Sequence, residues 1–263
     1  MEHFECPLDA TSIHHSNVTR RRAAITTLHS KLSGHRLYDH PLSIALGDNL
    51  YGPDALRFVL THLSTMIEPY TGLLGLLLGR APDLKSRQVL LDNLFEEMGR
   101  GDVSQAHPVL WRGLLDSIGV SDTARAELKP LESTVAMNAG LEQAFLFKPF
   151  VYGCAWLSFS EAPIPNLFSY LVQGTYKAFG RESIDHRFFD RHGVRDEGHS
   201  DDADLLIAVH ATPILMMGLA CEARACLDAR VAVWDELEYY CRRQQFDLLR
   251  REDDPPPVMM RAF

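Results

Sequence analysis

The run FFDRHGVRDEGHSDD carries the clearest chemistry in the chain, because it spaces His192, Asp196 and His199 as His-x3-Asp-x2-His. At about 100° per residue on a helix, positions i, i+4 and i+7 fall within roughly a 60° arc, so two imidazoles and a carboxylate converge on one face. Two nitrogen donors with one oxygen donor suit zinc or iron better than calcium or magnesium, which prefer all-oxygen shells. Three donors from one helix do not complete a site. The same stretch holds Arg191, Arg195, Glu197, Asp201, Asp202 and Asp204, which is also the composition of a solvated face with i,i+4 ion pairs. Other segments must therefore supply the missing ligands if this is a metal cage.

They offer several. Glu96 and Glu97 end one apolar-periodic segment, Gly99 and Gly101 provide a turn, and His107 opens the next segment just before Pro108. A residue before proline is pushed out of the α region and proline is favoured in a first helical turn, so His107 sits where a helix begins. Glu161 follows the apolar run of GCAWLSFSEAPIP, and Glu68 lies among apolar neighbours before Pro69. Adjacent glutamates on a helix point about 100° apart, so one of Glu96 and Glu97 is expected to face the interior. Read singly, each has an ordinary use, as a helix-end carboxylate, a surface cap or a core histidine.

The elements that must position these side chains read as helices almost everywhere. Apolar residues recur at three and four in AAITTLHSKL, DALRFVLTHLSTMIEPYTGLLGLLL, SRQVLLDNLFEEM, PVLWRGLLDSI, PNLFSYLVQGTYKAF and RVAVWDELEYYCRRQQFDLL. Alternating strand patterns are hard to find. Gly52-Pro53-Asp54, Ala81-Pro82-Asp83 and Gly180-Arg181-Glu182 punctuate the helices as stops and caps. The expected organisation is an all-α bundle forming one domain over 19–250. It is flanked by a loosely held segment 1–18 and a proline-rich tail 251–263.

With 263 residues, 46% hydrophobic and 23% charged, the chain can bury a sizeable core. Its net charge of −9 and lack of a sustained basic stripe argue against nucleic acid as a partner. Five scattered cysteines, an odd number, fit reduced thiols in a cytoplasm. The N-terminus has no apolar stretch of signal-peptide type, and the apolar segments are too short or interrupted for membrane spans, so no membrane partner is expected.

The order N-L-x-E-E-x-G, then H-P-x-L-W, then a mid-chain glutamate before a proline turn, then F-F-x-x-H-x-x-x-D-x-x-H, resembles the heme-oxygenase-like diiron oxidases. The likeness runs from about His40 to about His210. It implies a bundle of about seven helices without heme, and two irons, Fe(II) or Fe(III), held by Glu97, His107, Glu161, His192, Asp196 and His199. Glu96 is the fallback for Glu97, and Glu68 is the candidate for an additional carboxylate.

By the same resemblance, the irons activate dioxygen as co-substrate to oxidise a small amine or amino acid. Nine residues separate Glu97 from His107, a spacing most like that of the N-oxygenating members, so N-oxygenation is the preferred reading. Oxidative C–C cleavage or desaturation of an amino or fatty acid is the alternative within the family. An external electron donor and a homodimer are the expected partners. A more distant likeness, to metal-free thiaminase-like hydrolases, would make Cys154 a nucleophile beside Glu161. Lys177, Arg181 and Arg187 lie near the histidine-bearing helix in sequence as candidates to hold a substrate carboxylate, although surface residues answer the same description.

Overall fold

The computed structural model describes residues 10–246, with side chains from residue 17 onward except those of 192–197. Eleven α-helices make up the described fold, and no strand occurs among the described residues. In chain order they are α1 (Ala10–Leu32), α2 (Pro41–Gly47), α3 (Gly52–Gly79), α4 (Leu84–Glu97), α5 (His107–Ser117), α6 (Asp122–Ala126), α7 (Glu132–Leu146), α8 (Phe150–Glu161), α9 (Ile164–Phe179), α10 (Arg187–His210) and α11 (Pro213–Arg243). Seven of these, α1, α3, α4, α7, α9, α10 and α11, are 14 residues or longer. The shorter α2, α5, α6 and α8 lie where Pro and Gly punctuate the chain.

The segment expected to be loose, 1–18, is helical from Ala10 onward, because no Gly or Pro interrupts ATSIHHSNVTRRRAAITTLHSKL before Ser33-Gly34. Residues 1–9 and the tail 251–263 lie outside the described residues.

The core helix is α8. Its ten residues from Val151 to Glu161, Tyr152 excepted, are all buried, which follows from an apolar run with no polar face. Against it pack α10, α11 and α7, while α3 lies across α7, α4, α5 and α9. Phe58, Trp111, Phe145, Phe159 and Phe188 fill the interior. Trp111 keeps its indole N–H satisfied by donating to Leu60 O at 3.2 Å and Ser64 Oγ at 3.1 Å.

Two local devices shape the site. Pro69, inside α3, has no N–H for the carbonyl of Thr65 four residues back. The Asn138 side chain of α7 donates to that carbonyl at 2.8 Å instead, so the break in the ladder becomes a tie between two helices. At the other side, Gly99 adopts φ 82°, and a Cβ there would come 2.2 Å from Asp102 O and 2.6 Å from Ala106 N. Only glycine permits this turn, which folds α5 back so that its first residue, His107, meets the last of α4.

Farther along, α10 is pinned by polar contacts at its C-terminal half. Asp204 accepts from Ser158 Oγ at 2.7 Å and lies 3.1 Å from His29 Nε2, whose ring stacks on Phe159 at 4.1 Å. Arg21 donates to Ala208 O at 3.1 Å, satisfying one of the last carbonyls of the helix. No described helix is long and apolar enough to cross a membrane.

Candidate metal centre

Glu97, His107, Glu161 and His199 come from α4, α5, α8 and α10, respectively, and all four are buried. Glu97 Oε2 lies 2.6 Å from His107 Nδ1, and Glu97 Oε1 lies 3.7 Å from His199 Nδ1. Glu96 turns toward the same imidazole from the rim: its Oε2 is 3.4 Å from His199 Nε2 and 3.1 Å from Arg100. Both glutamates therefore border the His199 ring, and only Glu97 is buried. At the end of α4 two side chains 100° apart still reach one ring, because the His199 imidazole sits between them. Glu97 is the buried one, and Glu96 is held at the edge by Arg100.

Glu161 is the acceptor for the Tyr70 hydroxyl in a short hydrogen bond. Burial raises the Glu161 carboxyl above the ordinary carboxylate value, opposed by the nearby His199 imidazole and reinforced by Glu97. Burial, with the charges of Glu161 and Glu97 behind it, pushes the Tyr70 phenol far up, so Tyr70 stays a donor across the physiological range. Phe188 closes one flank, edge-on to Trp111 at 4.6 Å and to His107 at 5.9 Å.

His192 and Asp196 lie within helical α10, but their side chains lie outside the described residues. Glu68 is exposed to solvent, on the α3 turn before Pro69. It is Tyr70, two residues farther on, that reaches the cluster. Sequence reasoning missed Tyr70, Asn138 and Arg230; the one local signal was the proline inside α3, which marks a break in a helix that otherwise buries its face.

The cluster opens on a cavity of about 80 Å³, several times the roughly 10–15 Å³ that one water needs. Leu63, Ile67, Leu141, Leu167 and Phe168 supply its apolar wall, and Tyr70, Asn138 and Arg230 its polar groups. The basic residues near α10 in sequence do not face it: Lys177 pairs with Asp48, Arg187 with Asp185, and Arg181 stacks over Tyr176. Nor does Cys154 behave as a nucleophile. Its thiol is fully buried, and burial pushes it well above the ordinary cysteine value, the opposite of what a reactive thiolate needs.

Another metal-capable group lies elsewhere, where His40, which caps the start of α2, meets Asp235 and Glu238 of α11. Its carboxylates are already taken by Arg36 and Arg242, and His40 Nδ1 accepts from Leu42 N at 3.2 Å. Those contacts make it a structural pin.

The donors around Glu97 do fit iron. Two imidazoles and buried carboxylates form the mixed nitrogen and oxygen set that iron takes. His199 Nδ1 is buried with no hydrogen-bond partner among the described residues, as a nitrogen reserved for a metal would be.

Fold and site together define an all-α protein of heme-oxygenase-like fold with a buried histidine–carboxylate cluster. The family described as iron-containing redox enzymes matches residues 57–231, more than half of the chain, and the chain belongs to that family. A 4-aminobenzoate synthase of Chlamydia muridarum (strain MoPn / Nigg) is 25% identical over 173 residues, covering 65% of this chain and 72% of that protein. Among solved structures, a CADD-like protein of unknown function from Nostoc punctiforme PCC 73102 superposes with a TM-score of 0.71 at 19% identity, over 85% of this chain and 99% of that one. A domain of unknown function with a heme oxygenase-like fold from Shewanella denitrificans OS217 gives a TM-score of 0.66 at 15% identity, over 93% and 99%.

Proposed function

We propose that the chain is a non-heme diiron oxygenase that uses dioxygen to oxidise a small amine or amino acid, with N-oxygenation as its reaction. The observation that carries this reading is the meeting of Glu97, His107, Glu161 and His199, from four helices, beside a largely apolar cavity that the first three of them line. His192 and Asp196, whose spacing to His199 in the sequence is His-x3-Asp-x2-His, are the donors this reading adds. Two ferrous ions held there would supply the electrons and open coordination positions that dioxygen reduction requires, and an external donor would restore those electrons.

The protein's own part is positioning and exclusion. Leu63, Ile67, Leu141 and Phe168 keep bulk water from the reacting amine, which must keep its nitrogen lone pair free to be oxidised. Tyr70 holds Glu161 by donating its hydroxyl proton, and burial keeps that proton in place. Arg100 holds Glu96 against His199, orienting the imidazole from outside. The 4-aminobenzoate synthase relative supports an amino-substituted acid as the class of compound handled, since its named product carries both an amine and a carboxylate.

The test is to load the chain anaerobically with ferrous salt, count the iron, and expose it to oxygen with a panel of primary amines and amino acids. Two irons per chain, and a product bearing oxygen from isotopically labelled dioxygen on nitrogen, are expected. A product shortened or desaturated without added oxygen would replace N-oxygenation by the cleavage or desaturation reading. No iron retained would end the diiron reading altogether.

A further inference from the structure

Arg230 lies midway along α11, a helix that supplies none of the candidate metal donors, and its side chain lines the same cavity as Glu97, His107 and Glu161. It is only 8% exposed. Among the described residues it makes no hydrogen bond or ion pair, and its Nε is buried without a partner. Other arginines of the fold are matched: Arg36 by Asp235, Arg125 by Asp116 and Asp122, Arg242 by Glu238. A buried guanidinium cannot shed its charge by losing a proton, so an unmatched one is costly unless an anion joins it. A second unmatched group shares the wall: Asn138 gives its amide N–H to Thr65 O, but its Oδ1 is buried without a partner.

Arg230 sits within electrostatic reach of Glu161 yet forms no ion pair with it. The metal-site carboxylates therefore do not consume its fork of donors. What remains open is a place for a planar, singly charged anion. A carboxylate matches the guanidinium fork with two parallel hydrogen bonds. A phosphate would bring a bulkier, tetrahedral head with up to twice the negative charge, which the single charge of one guanidinium does not match. The apolar wall calls for an apolar body on that carboxylate.

We propose that Arg230 anchors the carboxylate of an organic-acid substrate whose apolar part fills the cavity and whose oxidisable end faces Glu97, His107 and Glu161. This rests on the reading of the cavity as the substrate chamber of the oxidative site. It narrows a small amine to an amino-substituted acid held by its acid end. Arg230 is a binding residue in this account, with the unmatched Asn138 Oδ1 left to accept from a donor on the ligand.

Benzoate is the probe, and benzamide, of the same shape without charge, is its control. Calorimetric titration of each into wild type, Arg230→Met and Arg230→Lys is run on metal-free protein and on protein loaded anaerobically with Fe(II). Benzoate should bind wild type in both states. Arg230→Met should weaken benzoate at least about tenfold, as loss of a charge-assisted paired contact does, with Arg230→Lys in between. Benzamide should bind weakly and be indifferent to the substitution.

Unchanged benzoate affinity in a folded Arg230→Met would overturn the proposal, as would benzamide binding as tightly as benzoate or no saturable binding by wild type at millimolar concentration. Should Arg230→Met not fold, Arg230→Gln and Arg230→Lys carry the same comparison. Iron content separates this claim from the one it rests on. Arg230→Met should hold as much iron as wild type, and loss of iron would make Arg230 a counter-charge for Glu161, overturning the anchor. Arg230-dependent benzoate binding by a wild type that retains no iron would instead uphold the anchor and sink the oxidative reading.

Discussion

Glu96 and Glu97 are neighbours with different surroundings, and the difference predicts different losses. Glu97 is buried against His107 at 2.6 Å, whereas Glu96 touches His199 at 3.4 Å while tied to Arg100. Glu97→Ala should lose at least one iron per chain. Glu96→Ala should keep both irons but weaken them about 10–100-fold, the usual effect of removing a group that orients a ligand. Metal analysis after equilibration with a competing chelator reads both, and the reverse pattern would exchange their roles.

His62 gives a separate prediction. Burial lowers its imidazole from 6.5 to about 4, and neither ring nitrogen has a hydrogen-bond partner among the described residues. Between those values the unfolded chain takes up a proton that the folded chain refuses, so stability falls as pH drops from about 6.5 toward 4, by up to about 3 kcal/mol. In denaturant titrations His62→Leu should show a loss smaller by that amount over the same range; an equal loss would place the acid sensitivity elsewhere. Residue types and spacing made His107, Glu161 and the pair Glu96/Glu97 legible as candidates. Tyr70 and Arg230 were not, because a tyrosine after a proline or an arginine in ACLDARVAVW acquires meaning only from what other helices place beside it.

At the scale of elements, α10 is docked at both ends and carries two glycines between them. Phe188 and Phe189 are buried at its start, and Ala203, Leu206, Ile207 and Ala208 toward its end, where Asp204 also meets Ser158. Between them lie Gly193 and Gly198, each costing about 1 kcal/mol relative to alanine in a helix interior. A metal that binds only the helical form should order that middle. Amide hydrogen exchange should show metal-dependent protection concentrated within 188–204 and strongest around the two glycines, with 205–210 protected either way. Equal protection of the whole segment without metal would show that packing alone holds it.

Gly198 leaves open space where a Cβ would go. Gly198→Ala should therefore stabilise the metal-free protein by about 0.5–1 kcal/mol and shrink the metal-dependent protection; destabilisation would count against a regular helix there. Helical periodicity and Gly/Pro punctuation foretold most of these elements. The start of α1 was not foretold, because its polar N-terminal turns lack the apolar rhythm that marks a helix, although nothing in them breaks one.

Across the whole molecule, the candidate ligands tie four helices together, and α11 closes the cavity from a fifth. None of these helices can move far without disturbing the cluster, since α10 packs on α8 and α5, and α8 on α7 and α11. Bringing Glu97 and Glu161 into one buried place is unfavourable for the bundle itself, as the raised Glu161 carboxyl records. Cations at that place would reverse the sign of the effect, so the energy of metal binding should appear as stability of the entire fold rather than of one helix.

At a free metal concentration 100 times the dissociation constant, binding to the folded state alone contributes about 2.7 kcal/mol. For a chain of this size that corresponds to a rise in Tm of roughly 5–10 °C. Anaerobic thermal unfolding with Fe(II) against a chelator should show this rise for wild type and most of it abolished for His107→Ala, whose imidazole is in contact with Glu97. Arg230→Met should retain it, since Arg230 pairs with none of the described donors. A Tm unmoved by Fe(II) in wild type would mean that these buried carboxylates and imidazoles satisfy one another without a metal.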